Sequence, residues 1–196
     1  MKIGRFAQVG CALVGVFVLV NIVPPRLLAQ DGHAHGLNGS VAAADAKSQS
    51  ELVRVVRQAT ERYKDVTVAE NDGYKLMFGF VSGPDYGAMG MHFVNLPLVL
   101  DGKLDPAKPE IVIYEPTPSG RLKLIGADYL VFADAWPKGA PQPELMGQLL
   151  HFFEAPNRFG LPPFYTLHVW AWKENPTGTF VNWHANVSCD SFSGQN

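Results

Sequence analysis

The stretch EIVIYEPTPSGRLKLIGADYLVF, residues 110–132, decides the fold of this chain. It contains two apolar runs, EIVIYEP and LKLIGADYLVF, whose β-branched and aromatic residues are typical of strands. Between them lies TPSG at 117–120, a set of residues that favours a turn. The stretch therefore predicts an antiparallel β-hairpin.

The sequence on either side of this hairpin predicts further strands. MHFVNLPLVL at 91–100 and FYTLHVWAW at 164–172 are apolar runs of the same kind. The segment from Trp136 to Pro163 is rich in proline, which predicts mostly loop, with one short helix at 144–153.

Helical periodicity precedes this strand-rich region. An apolar stripe at helical spacing consists of Leu52, Val55, Val56, Ala59 and Tyr63. Ser48 and Glu51 have the spacing of a capping box, so the helix is expected to begin near Ser48, and a second short helix is expected from Thr67. The predicted fold class is α+β, with an N-terminal amphipathic helix packed on a curved antiparallel sheet.

The first 29 residues have the parts of a secretory signal peptide. Lys2 and Arg5 precede an apolar run at 7–23, and Ala29 offers a small residue for cleavage. We predict a signal peptide over 1–29, a flexible leader over 30–47 and a single α+β domain over 48–196. The protein is then expected to be secreted or periplasmic, without a membrane attachment after signal cleavage.

Charge and cysteine content narrow the function classes. The whole chain has 16 basic and 18 acidic residues, and three of the basic ones lie in the predicted signal peptide. A mildly acidic domain without basic clusters has no electrostatic basis for binding nucleic acid. Cys189 is the one cysteine outside the signal peptide, so no internal disulfide is expected. His33 and His35 could chelate a metal, although a polar linker with incidental histidines is the favoured interpretation.

Four polar residues among the predicted strands are candidates for a metal site: His92, Glu115, Asp128 and His168. Asp128 interrupts an apolar run, where a carboxylate is costly unless it is paired or ligating. Two imidazoles and one or two carboxylates suit a divalent transition metal such as Zn, Fe, Mn or Cu. An open coordination position would allow hydrolysis or oxygen chemistry, and without a metal the same groups could act as general acid and base. Whether the chain is an enzyme stays open.

Neighbouring residues are interpreted as structural. In an extended strand, the methionines at 89 and 91 would face opposite to His92 and belong to the core. Glu110 is expected at an exposed strand start, and His151 and His184 are expected to be incidental.

The run FYTLHVWAW supports a second hypothesis. A period of two would place Thr166, His168, Trp170 and Trp172 on one face. The two indoles would then suit an apolar or aromatic small-molecule ligand, bound without catalysis; a plain hydrophobic core is the alternative. A third hypothesis, a structural envelope protein without a pocket, holds if the four polar candidates point to different sides of the sheet.

Four strings in this chain resemble an uncharacterised family of small exported bacterial proteins: GAMGMHFVN, PEIVIYEP, LHVWAWKENPTGTF and NVSC. The resemblance covers roughly Ala59 to Cys189. It implies an exported α+β domain, with His, Glu, an acid and His favoured at positions 92, 115, 128 and 168, and it supplies no activity. Relatives tend to have a cysteine before GAMG that could pair with the one in NVSC. Here FVSGP at 80–84 contains none, which puts the rigidity of the C-terminal tail in doubt.

Overall fold

The computed structural model describes residues 36–83, 86–188 and 190–191. The predicted signal peptide, His33, His35 and Cys189 lie outside these residues. Among the helices described, none is long and apolar enough to cross a membrane.

The described chain is α+β, with a curled antiparallel sheet and a few helices. Three α-helices, α1 to α3, span Gly36–Thr60, Val66–Asn71 and Leu96–Leu100, and a 3-10 helix spans Glu61–Lys64. The strands β1 to β8 span, in chain order, Lys75–Gly83, Gly87–Val94, Ile111–Pro116, Leu122–Phe132, Glu144–Leu145, Gln148–Leu149, His151–Phe153 and Phe164–Val169.

Six of these strands form the main sheet, in the order β1-β2-β3-β4-β8-β7. Every neighbouring pair is antiparallel. The predicted hairpin is confirmed, because β3 pairs with β4 and brings Ile111 opposite Asp128. The two short strands β5 and β6 form a separate ribbon.

Two predictions of secondary structure are wrong. The run at 91–100 is not one strand, because β2 ends at Val94 and α3 begins at Leu96, with a proline in its first turn. The segment 144–153 is not a helix but contains β5, β6 and β7. Met146 and Gly147 have φ angles of 50° and 81°, which a right-handed helix cannot accommodate.

The start of α1 also differs from the expectation. The helix begins at Gly36, so Ser48 lies within it and does not cap it. Residues 36–47, expected to belong to a flexible leader, are therefore helical. The second short helix is confirmed as α2, and the Asp65 side chain accepts a hydrogen bond from Thr67 N at its start.

Helix α1 contributes to the core on one face of the sheet. Leu52 and Val56 are fully buried and share a cluster with Ala127, Tyr129, Val131, Leu167 and Val169. Because side chains alternate across a strand, Asp128 and Leu130 of β4 point to the opposite face. Leu130 lies there with Ile113 and Phe164, which belong to a second apolar cluster. The candidate site lies on this second face.

Candidate metal centre

The sheet places three of the predicted polar residues on one face. Asp128 of β4 is directly opposite His168 of β8, and residues directly opposite in an antiparallel pair share a face. On the other side, Asp128 pairs with Ile111 of β3, and Ile113 two residues further along pairs with His92 of β2. The register therefore directs His92, Asp128 and His168 to the same side.

The curl of the sheet brings these residues into contact. His92 and His168 lie three strand intervals apart, which would be about 14 Å in a flat sheet. Their Nε2 atoms are nevertheless 3.5 Å apart. His168 Nδ1 lies 3.5 Å from Asp128 Oδ1, and one ligand atom from each of the three residues lies within 4.8 Å of the others. The group is buried, with at most 5% of any of the three residues exposed.

The protein leaves part of this group without hydrogen-bond partners. Nδ1 of His92 and Nδ1 of His168 are buried and make no hydrogen bond. The Asp128 carboxylate is held on one side by Thr166, whose hydroxyl donates to Oδ1 at 2.5 Å. Buried polar atoms without partners are uncommon, but these are Nδ1 atoms, and an ion bound through the two Nε2 atoms would not supply their partners.

Burial also sets the protonation state of the three residues. It lowers the pKa of His92 to about 4, assisted by the neighbouring His168, and it lowers the pKa of His168 to about 3. Burial raises the pKa of Asp128 to about 6. At neutral pH both imidazoles are therefore neutral and keep a lone pair for a ligand bond.

A small apolar cavity adjoins the three residues. Its volume is about 30 Å³, and His92, Asp128, His168 and Thr166 are its polar lining residues. Its apolar wall includes Phe78, Leu130, Phe153, Phe159, Leu161 and Phe164. The site thus combines a polar floor on the sheet with a mainly aromatic wall.

Met89 lines this cavity as well, so the expectation that it faces opposite to His92 is wrong. Gly90 has a φ of 85°, and the register between β1 and β2 shifts between Val81 and Ser82. A bulge of this kind inserts an extra residue and breaks the period of two. A glycine inside a strand was the available signal for it.

Glu115 does not join the group, contrary to the sequence prediction. Lys173 Nζ lies 2.7 and 2.6 Å from its two carboxylate oxygens. Glu115 is at the turn end of the hairpin, opposite Lys123, four residues along β3 from Ile111. At about 3.3 Å per residue it lies about 13 Å along the strand from the level of Asp128.

The two tryptophans have different surroundings. Trp170 is buried, its ring lies 5.7 Å from that of His168, and its Nε1 donates to Val181 O. Trp172 is half-buried, its Nε1 donates to Thr60, and Lys64 Nζ lies over its ring. The predicted alternation through Trp172 is wrong, because β8 ends at Val169 and the chain turns there, with Ala171 N donating to Val169 O.

The sequence analysis did not predict the burial of two residues, Glu110 and His184. Glu110 is not at an exposed strand start but is 1% exposed, and its carboxylate accepts a hydrogen bond from Leu130 N at 3.1 Å. Burial raises its pKa to about 8. His184 is fully buried, with Nδ1 accepting from Asn186 N and its ring edge-on to Trp170 at 4.9 Å. Glu110 contacts Leu130 of β4 and His184 pairs with Ala88 of β2, and both partners are too distant in the chain for a local sequence pattern to indicate them.

Comparison of this chain with known protein families, curated proteins and solved structures identifies no match. The class of the protein therefore follows from its fold and its site. It is an α+β protein whose curled sheet carries a buried group of two histidines and one aspartate that could hold a metal ion.

Proposed function

We propose that this chain is an exported domain that binds one divalent transition metal ion between His92, Asp128 and His168. The observation that supports it best is the 3.5 Å separation of the two buried Nε2 atoms. Two nitrogens on one ion, each bonded at 2.0–2.1 Å with tetrahedral angles, lie about 3.4 Å apart. The apposed rings therefore have a spacing suited to a shared ion.

The types of donor atom favour a transition metal. Imidazole suits Zn, Cu and Fe, whereas Ca and Mg prefer oxygen ligands. Two histidines and one carboxylate with open positions are the ligand set of non-haem Fe(II) sites, and three protein ligands plus an exogenous one also serve Zn. The three residues leave at least one coordination position for a ligand from the cavity.

Acid–base chemistry without a metal has weaker support. A general base is most effective when its pKa lies near the working pH. The imidazoles of His92 and His168 have pKa values of about 4 and 3, because burial disfavours their charged forms. They are weak bases at neutral pH, whereas their neutral state suits metal binding.

Metal content of the purified protein tests the proposal. We expect about one ion per chain after incubation with Fe(II), Zn(II) or Co(II) and removal of excess metal. His92→Gln and His168→Gln should each lower the affinity at least tenfold, whereas His151→Gln, a matched change at an exposed histidine, should leave it unchanged. Absence of uptake by the folded wild-type protein, or equal uptake by all three variants, would contradict the proposal.

We further propose that residues 1–29 direct export. Support comes from the basic start, the apolar run and the small residue at Ala29. Fractionation of bacterial cells expressing the full chain should recover a shortened protein from the periplasm or the medium, with its new N-terminus near residue 30. Recovery of full-length chain in the cytoplasm alone would contradict export without affecting the metal proposal.

A further inference from the structure

We infer that the metal ion in this cavity takes a small uncharged ligand of about two or three non-hydrogen atoms, the class that includes dioxygen and nitric oxide, and that Phe159 sets the size limit. This inference rests on the proposed metal site. It adds the class of ligand and the residue that selects it.

The first argument is size. The cavity beside the three residues has a volume of about 30 Å³. A single water needs roughly 10–15 Å³ of such space, so two or three small atoms fill the cavity. A five-membered ring such as imidazole does not fit unless the wall moves.

The second argument is polarity. Among the described residues that line the cavity there is no lysine or arginine, and the three titratable side chains are the proposed metal ligands themselves. The remaining hydroxyl, that of Thr166, already donates to Asp128. Apart from the ion itself, an anionic organic substrate would therefore meet no cationic side chain among the described lining residues, whereas an uncharged ligand would lose little solvation on entering an apolar wall.

The third argument is the construction of the wall around Phe159. Its ring contacts the rings of Phe78, Phe153 and Phe164 at centroid distances of 5.8, 6.4 and 6.2 Å. Phe159 is half-buried, whereas His92 and His168 are almost completely buried. The ring therefore forms part of the aromatic wall that separates the cavity from the solvent.

The loop that carries Phe159 is held in place from two sides. The Asn157 side chain donates to Glu154 O and Leu161 O and accepts from the main-chain N–H groups of Phe159 and Leu161. Arg158 donates to Ser82 O of β1. These bonds fix the position of Phe159 over the cavity, so the size limit is built into the loop.

Two probes on the metal-loaded protein test this inference. Nitric oxide, added anaerobically to the Fe(II) protein, should give the half-integer-spin electron paramagnetic resonance signal of an iron–nitrosyl complex. Imidazole, titrated into the Co(II) protein, should leave the visible spectrum unchanged. Phe159→Ala should bind nitric oxide as well and should bind imidazole at least tenfold more tightly than the wild type. Phe152→Ala, a matched change at an exposed ring of β7, should behave as the wild type does.

The outcomes separate this inference from the proposed function. Metal analysis on each sample first establishes whether iron or cobalt is bound, and absence of metal defeats both proposals. Protein that contains iron but gives no nitrosyl signal overturns the inference alone. Equal imidazole affinity in the wild type and Phe159→Ala overturns the size limit. Phe159→Leu provides a smaller change should the alanine variant not fold.

Discussion

Two buried carboxyl groups lie at the start of β3. Glu110 immediately precedes the strand, and Asp128 is paired with its first residue, Ile111. Burial, assisted by the nearby carboxyl of Asp128, raises the pKa of Glu110 to about 8. A carboxyl group that is neutral in the folded state over most of the physiological range makes stability depend on pH.

Replacement of Glu110 by glutamine is expected to reduce that dependence. The folded-state pKa of about 8 exceeds the ordinary value of 4.5, so the contribution of Glu110 is fully present below pH 4.5 and is lost as pH rises towards 8. Glu110→Gln keeps an acceptor for Leu130 N. The unfolding free energy of the variant relative to the wild type should therefore increase by up to about 1.4 kcal/mol per pH unit across this window. Urea unfolding of the metal-free proteins at pH 5 and pH 8 measures it, and a constant difference would contradict the prediction.

At the scale of single residues, the sequence indicated which side chains could form a site better than it indicated which residues they contact. Asp128 was recognisable because a carboxylate within an apolar strand requires a partner, whereas His92 and His168 were selected as imidazoles at the start of one predicted strand and within another. Glu115, at the end of the run EIVIYE, was selected with them, but its partner is Lys173, 58 residues away in the chain. Glu110 was misassigned because nothing in its local sequence shows that the main chain of Leu130 solvates its carboxylate.

Among the structural elements, the loop between β7 and β8 forms part of the wall of the site. It presents Phe159 and Leu161 to the cavity, and one side chain, Asn157, makes four hydrogen bonds to its main chain. The sequence predicted a proline-rich loop here. It could not predict that the loop lines the cavity beside His92, Asp128 and His168, since this depends on the neighbouring strands.

Substitution of Asn157 is expected to loosen this loop. Asn157→Ala removes all four bonds and should lower the unfolding free energy by about 1–3 kcal/mol, because the main-chain groups lose their partners. Asn157→Asp keeps the two acceptor bonds and should lie between the alanine variant and the wild type. Hydrogen exchange at the amides of Phe159 and Leu161 should increase in the same order. Unchanged exchange in Asn157→Ala would contradict this role.

At the scale of the whole molecule, the main sheet has the packing of helix α1 on one face and the candidate site on the other. Leu52 and Val56 of α1 are buried against one face, and His92, Asp128 and His168 lie on the other. Because alternate residues of β4 point to opposite faces, Tyr129 packs with the helix while Asp128 faces the cavity. Changes beneath the helix should therefore affect stability more than metal binding.

Truncation of Leu52 tests this separation. Leu52 is fully buried, so Leu52→Ala should lower the unfolding free energy by about 2–5 kcal/mol. Leu149→Ala, the same change at a residue that is 55% exposed, should alter it by less than about 0.5 kcal/mol. Chemical denaturation measures both, and the metal affinity of folded Leu52→Ala should match that of the wild type. Equal stability of the two variants would show that α1 does not contribute to the core.

The sequence by itself indicated the α+β class, the β3–β4 hairpin, the short helix α2 and His92, Asp128 and His168 as candidate site residues. These follow from periodicity, turn chemistry and the cost of isolated polar groups, all of which act over a few neighbouring residues. The tertiary structure alone decided which polar residues meet. His92 contacts His168 because register places both on one face and the curl of the sheet closes a gap of about 14 Å, whereas Glu115 lies too far along its strand. The curl and the strand register arise from pairing across the whole sheet, so no local sequence pattern predicts them.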